Sequence, residues 1–148
     1  MDVEGQYLLP ATPALVWQRL NDPAVLEHCI PGCVRMTRLD AHNFECEIRV
    51  RYGFINATFV TLLELSNVRA PSSYTLTGRS QGGLAGFGEG VADVWLLEAA
   101  PGTTLRYAAR LAASGRIAQL GSRLLSSTTR RLTEKFFAAF AASFVDGE

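Results

Sequence analysis

The stretch GRIAQLGSRLLSSTTRRLTEKFFAAFAASF, residues 115–144, decides the fold, because the hydrophobic period of the chain changes there. Ile117, Leu120, Leu124, Thr128, Leu132, Phe136, Phe140 and Phe144 recur at three- and four-residue steps, the spacing of one face of an α-helix. Arg116, Arg123 and Arg130 recur every seven residues on another side. The pattern predicts one amphipathic helix over 115–144, about 45 Å long at helical rise. Such a rod crosses an entire strongly curved sheet.

Everything before it reads with a period of two. In NFECEIRVRY (43–52), Phe44, Cys46, Ile48, Val50 and Tyr52 point one way while Glu45, Glu47, Arg49 and Arg51 point the other, so one face is buried and one is wet. Gly53 breaks the run, and FINATFVTLLEL (54–65) follows as a longer, more apolar strand. SYTLTGRS (73–80), VADVWLLEA (91–99) and TTLRYAARLA (103–112) complete a series punctuated by Ala70-Pro71, the glycines of 82–90 and Pro101-Gly102. Connections this short imply antiparallel neighbours. Ahead of them VEGQYLL (3–9) reads as a first strand. Thr12-Pro13 and Asn21-Asp22-Pro23 are capping residues followed by proline, which launch the short helices 14–21 and 24–29; Pro31-Gly32 stops the second. The expected fold is α+β: a curved antiparallel sheet of about seven strands, two short helices after the first strand, and a long C-terminal helix covering the sheet's apolar face. No repeat or linker divides the chain, so 1–148 reads as one domain.

Composition excludes several classes. Of the 148 residues 48% are apolar, and fourteen basic side chains balance fourteen acidic ones, which fits neither a disordered chain nor a nucleic-acid polyelectrolyte. Cys29, Cys33 and Cys46 are too few for a disulfide scaffold, and MDVEGQYLLP lacks the basic start and apolar run of a secretory signal, so a reducing, cytoplasmic setting is expected. The longest apolar stretch, FFAAFAASFV (136–145), is about half of the roughly 20 residues a bilayer-spanning helix needs.

Several motifs in register carry a resemblance. Leu20-Asn21-Asp22-Pro23-Ala24-Val25-Leu26 leads into Cys29-Ile30-Pro31-Gly32-Cys33. After these come Gly82-Gly83 with Ala85-Gly86-Phe87-Gly88 and Gly90, Gly102-Thr103-Thr104-Leu105-Arg106-Tyr107, Gly115 through Arg123, and Phe136-Phe137. Together they resemble the CoxG proteins of carbon monoxide dehydrogenase systems, within the START-like, helix-grip (SRPBCC) superfamily, over essentially the whole chain. The resemblance implies an internal cavity and a non-catalytic accessory role beside a molybdenum hydroxylase of the carbon monoxide dehydrogenase kind. It also implies recruitment of that enzyme to the inner face of the cell membrane and a lipophilic ligand such as a quinone. Some proteins of this type have a hydrophobic C-terminal extension, which residues 145–148 do not supply, so peripheral contact is the expected mode.

A sheet gripping one helix leaves a wedge at one end, where glycines and alanines are the space-makers. By alternation the ligand cavity is expected to draw on Phe44, Ile48, Val50, Leu76, Tyr107 and Leu111 from the sheet and on Ile117, Leu120, Leu124 and Leu132 from the helix. Phe87 and the surrounding glycines are expected to gate it. QGGLAGFGEG (81–90) resembles a phosphate cradle but lacks the GK[ST] ending and the strand-to-helix setting, and so reads as a flexible lip. Cys29, Cys33 and His28 invite a zinc reading, yet only Cys46 and His42 remain as further soft ligands, so no metal is expected. The alternative is a START-like enzyme acting on an aromatic or polyketide-like substrate, with Glu89 or Glu64 as general base. No serine, histidine and carboxylate set accompanies them. Arg116, Arg123, Arg130 and Arg131 offer a surface for anionic lipid or an acidic partner. Exposed strand edges allow a homodimer.

Overall fold

The computed structural model describes residues 1–52 and 55–146. Strand β1 (Asp2–Leu9) leads into helices α1 (Pro13–Leu20) and α2 (Pro23–Cys29). Both helices start as their sequences dictate. Thr12 Oγ1 accepts from the Leu15 N–H at 3.3 Å, Asp22 Oδ1 accepts from the Ala24 N–H at 3.0 Å, and a proline opens each first turn. Gly32 turns the chain out of α2 at φ +78, where a Cβ would sit 2.5 Å from the Arg49 carbonyl oxygen, so only glycine fits.

Six strands follow: β2 (Cys33–Asp40), β3 (Asn43–Tyr52), β4 (Ile55–Arg69), β5 (Ser73–Gln81), β6 (Phe87–Ala99) and β7 (Gly102–Ser114). With β1 they form one antiparallel sheet in the order β1-β7-β6-β5-β4-β3-β2, so β1 and β2 are its edges. The expected break at Gly53 and the start of the next strand at Phe54 lie outside the described residues. Strand β2 carries no clean alternation. As an edge strand it buries only Met36 and leaves Val34 and Leu39 exposed, which is why its sequence does not announce it.

The expected 30-residue helix is in fact two elements. Residues Gly115–Leu120 form a 3₁₀ turn, Gly121 takes a left-handed φ of +84, and helix α3 runs from Ser122 to Asp146. The glycine stops one helical phase and starts another. Across the palm of the sheet, the second half of α3 stacks Phe136, Phe137, Phe140 and Phe144 on Tyr7, Tyr74, Val94, Leu96 and Leu105. The Tyr7 and Phe137 rings lie 4.1 Å apart, and Phe140 has no exposed surface. Each buried ring stabilises the grip by about 1.5–3 kcal/mol. Arg19 ties α1 to the end of α3, donating to the Ser143 carbonyl at 2.7 Å and lying 4.8 Å over the Phe144 ring.

Candidate ligand cavity

Side-chain size tapers along the grip. The C-terminal half of α3 presents phenylalanines, whereas its first turns present Ser122, Leu125 and Thr129. The sheet tapers at the same level. Register places Ser80, Gly88 and Ala113 side by side across β5, β6 and β7, then Gly78, Gly90 and Leu111, then Leu76, Ala92 and Ala109. Small residues on both walls leave a cavity of about 720 Å³, within the range of roughly 300–1,000 Å³ typical of small-molecule sites. Leu63, Leu76, Leu111, Ile117, Leu125 and Met1 give it apolar walls, and Ser80, Ser122 and Thr129 contribute hydroxyl-bearing positions.

Backbone closes the far end. The short 3₁₀ turn Gly83–Ala85 meets the 3₁₀ turn at Gly115–Leu120, and a Cβ at Gly86 (φ +119) would sit 2.2 Å from the Ser114 carbonyl oxygen. Phe59 and Ala85 pack there with Val50, Ile117 and Leu120. A second, smaller concavity of about 420 Å³ lies between edge strand β1 and α3, along Val3, Gly5, Tyr7, Tyr107, Ser126 and Arg130. Burial raises the Tyr7 and Tyr107 hydroxyls above the ordinary tyrosine range, so both stay neutral.

Of the residues expected to form the cavity, Leu76, Leu111 and Ile117 line it. Val50 and Leu120 instead belong to the plug around Phe59. Phe44 and Ile48 belong to a separate cluster with Leu26, Met36 and Cys46, and Tyr107 joins the aromatic stack of Tyr7 and Phe137. Phe87, at the start of β6, pairs with Gln81 and Ser114 and falls on the alternate side of the strand from Gly88 and Gly90. Leu124 is half-buried and Leu132 is 43% exposed, while Leu125 and Thr129 take the cavity-facing places. Gly121 is the physical reason: a phase counted through it from Ile117 and Leu120 lands one residue early on α3. Alternation along single strands does not point to Leu63, Gly78, Gly88, Gly90 and Ala92; the signal for them is the cross-strand coincidence of small residues.

The two candidate bases are both exposed. Glu89 is among the residues that line the cavity, as is Val91, but its side chain is exposed and alternates along β6 with Gly88 and Gly90, whereas Glu64, exposed on β4, does not line it. Among the described residues, no group of three or more His, Cys, Asp or Glu side chains is placed to hold a metal ion. The three thiols are free, and burial raises each of them, Cys46 to about 11. Arg116, Arg123, Arg130 and Arg131 are all exposed, but they do not form one stripe. Arg116 belongs to the 3₁₀ turn, Arg123 and Arg130 share a flank of α3, and Arg131 is turned about 100° from Arg130 by helical geometry. Among the described residues, no helix is long and apolar enough to cross a membrane.

Solved structures share this fold. A conserved protein from Geobacillus kaustophilus superposes with a TM-score of 0.92 at 22% sequence identity, covering 99% of this chain and 96% of that one. A protein from Chromobacterium violaceum gives 0.74 at 14% identity over 95% of each chain. One from Thermus thermophilus gives 0.73 at 12% identity over 100% of this chain and 99% of that one. At such identities the likeness is one of fold. No curated protein matches the sequence. The model of the carbon monoxide dehydrogenase CoxG family, in contrast, matches residues 5–144, from the first strand to the last phenylalanine of α3. With the helix-grip architecture in place across that same span, the chain belongs to the CoxG family of carbon monoxide dehydrogenase proteins.

Proposed function

We propose that this protein is a non-catalytic carrier that holds one lipophilic small molecule in the cavity between β5–β7 and the start of α3. In this reading it serves as an accessory protein of a molybdenum hydroxylase of the carbon monoxide dehydrogenase type. Family membership supports the accessory role. The observation that carries the ligand is the cavity itself, an apolar hollow of about 720 Å³ floored by Gly78, Gly88, Gly90 and Ala92.

A quinone suits these walls. A flat, uncharged ring lies against a floor without side chains, its carbonyl oxygens accept from the hydroxyls at Ser80, Ser122 or Thr129, and a hydrocarbon tail meets the leucines. A quinone bound there supplies two-electron redox chemistry; the protein's part is to shield the ring from water and fix its orientation. At about 0.3 kcal/mol per heavy atom, a ligand of about 25 heavy atoms binds with about 7–8 kcal/mol, a dissociation constant in the micromolar range. Delivery at a membrane would use the flank of Arg123 and Arg130 against anionic headgroups, in peripheral contact.

The test is a titration with a short-chain quinone, read by calorimetry, together with a pull-down against a purified molybdenum hydroxylase of this class. One-to-one micromolar binding and capture of the hydroxylase are expected. Failure to bind any neutral lipophile overturns the carrier reading, and failure to capture the hydroxylase overturns the accessory one.

A further inference from the structure

Among the described residues the buried polar side chains of the grip are Thr103 and Thr61, and the first has a plain structural task. Its hydroxyl donates to the Ala11 carbonyl at 2.6 Å and ties β7 to the turn before α1. Thr61 is different. It stands on the inner face of β4 between Phe59 and Leu63, is 6% exposed, and occupies a place where a valine of the same shape would pack.

Its polar partners are side chains in its own row of the sheet. The register sets Cys46, Thr61, Ser80 and Gly88 side by side across β3, β4, β5 and β6. Thr61 Oγ1 and Ser80 Oγ lie 2.7 Å apart, and on the other side the Cys46 thiol is in hydrogen-bonding reach of Thr61. Ser80 lines the cavity, whereas Thr61 and Cys46 stand behind it. Gly88 has no side chain to cover the Ser80 hydroxyl from β6.

Proton order along this row reverses by rotation of hydroxyls alone. When Thr61 donates to Ser80, the Ser80 proton is free to point into the cavity, and a carbonyl oxygen bound there accepts it. When Ser80 donates to Thr61, the Thr61 proton turns to the Cys46 sulfur, a weak acceptor, and Ser80 accepts from a ligand O–H. Every hydroxyl proton has a partner in both arrangements. Without Thr61 the second one fails: Ser80 accepts from the ligand while its own proton loses its acceptor, and an unmet donor in a ligand-filled cavity is costly.

We infer that the Thr61–Ser80 pair is the polar recognition element of the cavity, and that it receives a lipophile's oxygen both as a carbonyl and as a hydroxyl. The class it fits is a neutral lipophile with interconvertible oxidised and reduced forms, carried in either state. Ser80 touches the ligand; Thr61 is a positioning residue that acts through Ser80. No covalent bond changes and no electron passes through the protein. The inference rests on the carrier reading above and separates from it: the cavity sets whether a lipophile binds, and the pair sets which oxygen it accepts.

The probes are decylubiquinone and decylubiquinol, whose fully substituted rings do not add to the free thiols, with the quinol kept reduced under anaerobic conditions. Affinities are read by calorimetry and by displacement of the neutral dye Nile red. The unaltered protein should bind the two forms within about tenfold of each other. Thr61→Val leaves every cavity-lining residue in place; it should weaken the quinol by about tenfold while the quinone moves less than about threefold, and Thr61→Ser should keep the parent pattern. Ser80→Ala should weaken both forms by about fivefold or more, and adding Thr61→Val to it should change nothing further. Equal loss for both forms in Thr61→Val, loss in neither, or an effect of Thr61→Val that persists without the Ser80 hydroxyl overturns the inference and leaves the carrier standing. An unaltered protein that takes the quinone and rejects the quinol does the same. Should Thr61→Val not fold, Ser80→Ala decides alone, and unchanged affinity for both forms overturns the pair. Binding of neither probe to the unaltered protein removes the carrier reading and this inference together.

Discussion

Replacing Gly88 by leucine separates an unfilled cavity from a packed core. Gly88 lies in β6 between Ser80 and Ala113, its φ is outside the left-handed region, and a Cβ there would meet only the Ala112 carbonyl oxygen, at an ordinary 3.8 Å. Neighbouring glycines do not offer this room: a Cβ at Gly90 would sit 2.5 Å from Leu111 Cδ2, and one at Gly82 2.5 Å from the Phe59 ring. Removing a glycine from a strand interior stabilises by about 0.5–1 kcal/mol. Partial burial of the leucine adds about 1–1.5 kcal/mol, and lost rotamer freedom takes back about 0.5–1 kcal/mol. The net is about +1 kcal/mol, which raises Tm by about 2–4 °C in a chain of this length. Meanwhile the four added carbons occupy space a ligand needs; at about 0.8 kcal/mol per displaced methylene-sized group the loss is about 3 kcal/mol, or roughly a hundredfold in affinity. Thermal melts and a Nile red titration on the same preparation read both effects. A variant that melts lower than its parent shows that the space was already filled, and unchanged affinity in a more stable variant shows that the dye binds elsewhere; either result refutes the reasoning.

Other consequences follow from individual groups. Burial holds the Cys46 thiol at about 11 against 9.0 when unfolded, so the folded state retains a proton that the unfolded state releases. That stability is intact below pH 9 and lost as pH rises through about 11, about 2–3 kcal/mol in all, and urea melts of Cys46→Ala should fall less steeply over that window. Gly86→Ala forces a side chain into φ +119 and against the Ser114 carbonyl, so it should cost at least about 3 kcal/mol by denaturant melts, whereas Gly83→Ala at φ +58, with no atom within 4 Å of the new Cβ, should cost about 1 kcal/mol. Phe140→Ala empties the fully buried centre of the aromatic stack and should cost about 3–5 kcal/mol in the same assay, with Phe136 and Phe144 losing their ring contacts.

Much of this architecture is legible in the residues because local signals and tertiary demands coincide. Thr12-Pro13 and Asp22-Pro23 carry local helix-start signals that the fold uses, and the alternation from Phe44 to Val50 has one face to bury. What is not legible is non-local. The left-handed φ of +84 at Gly121 separates the 3₁₀ turn from α3, so periodicity counted straight through it turns Leu124 rather than Leu125 toward the cavity. The cavity floor is likewise a matter of register: Gly78 and Gly90 are ordinary in their own strands and become a floor because β5 and β6 pair them directly. Glu89 stands out as a carboxylate among glycines, yet the period-two rule that identifies the strands already places it opposite Gly88 and Gly90.

Native mass spectrometry of protein incubated with membranes of its expression host tests the central claim most directly. A single neutral adduct per chain, removable by organic solvent and missing from Gly88→Leu treated alongside, is the predicted spectrum. Bare polypeptide mass in both preparations, before and after a short-chain quinone is added, would contradict the account.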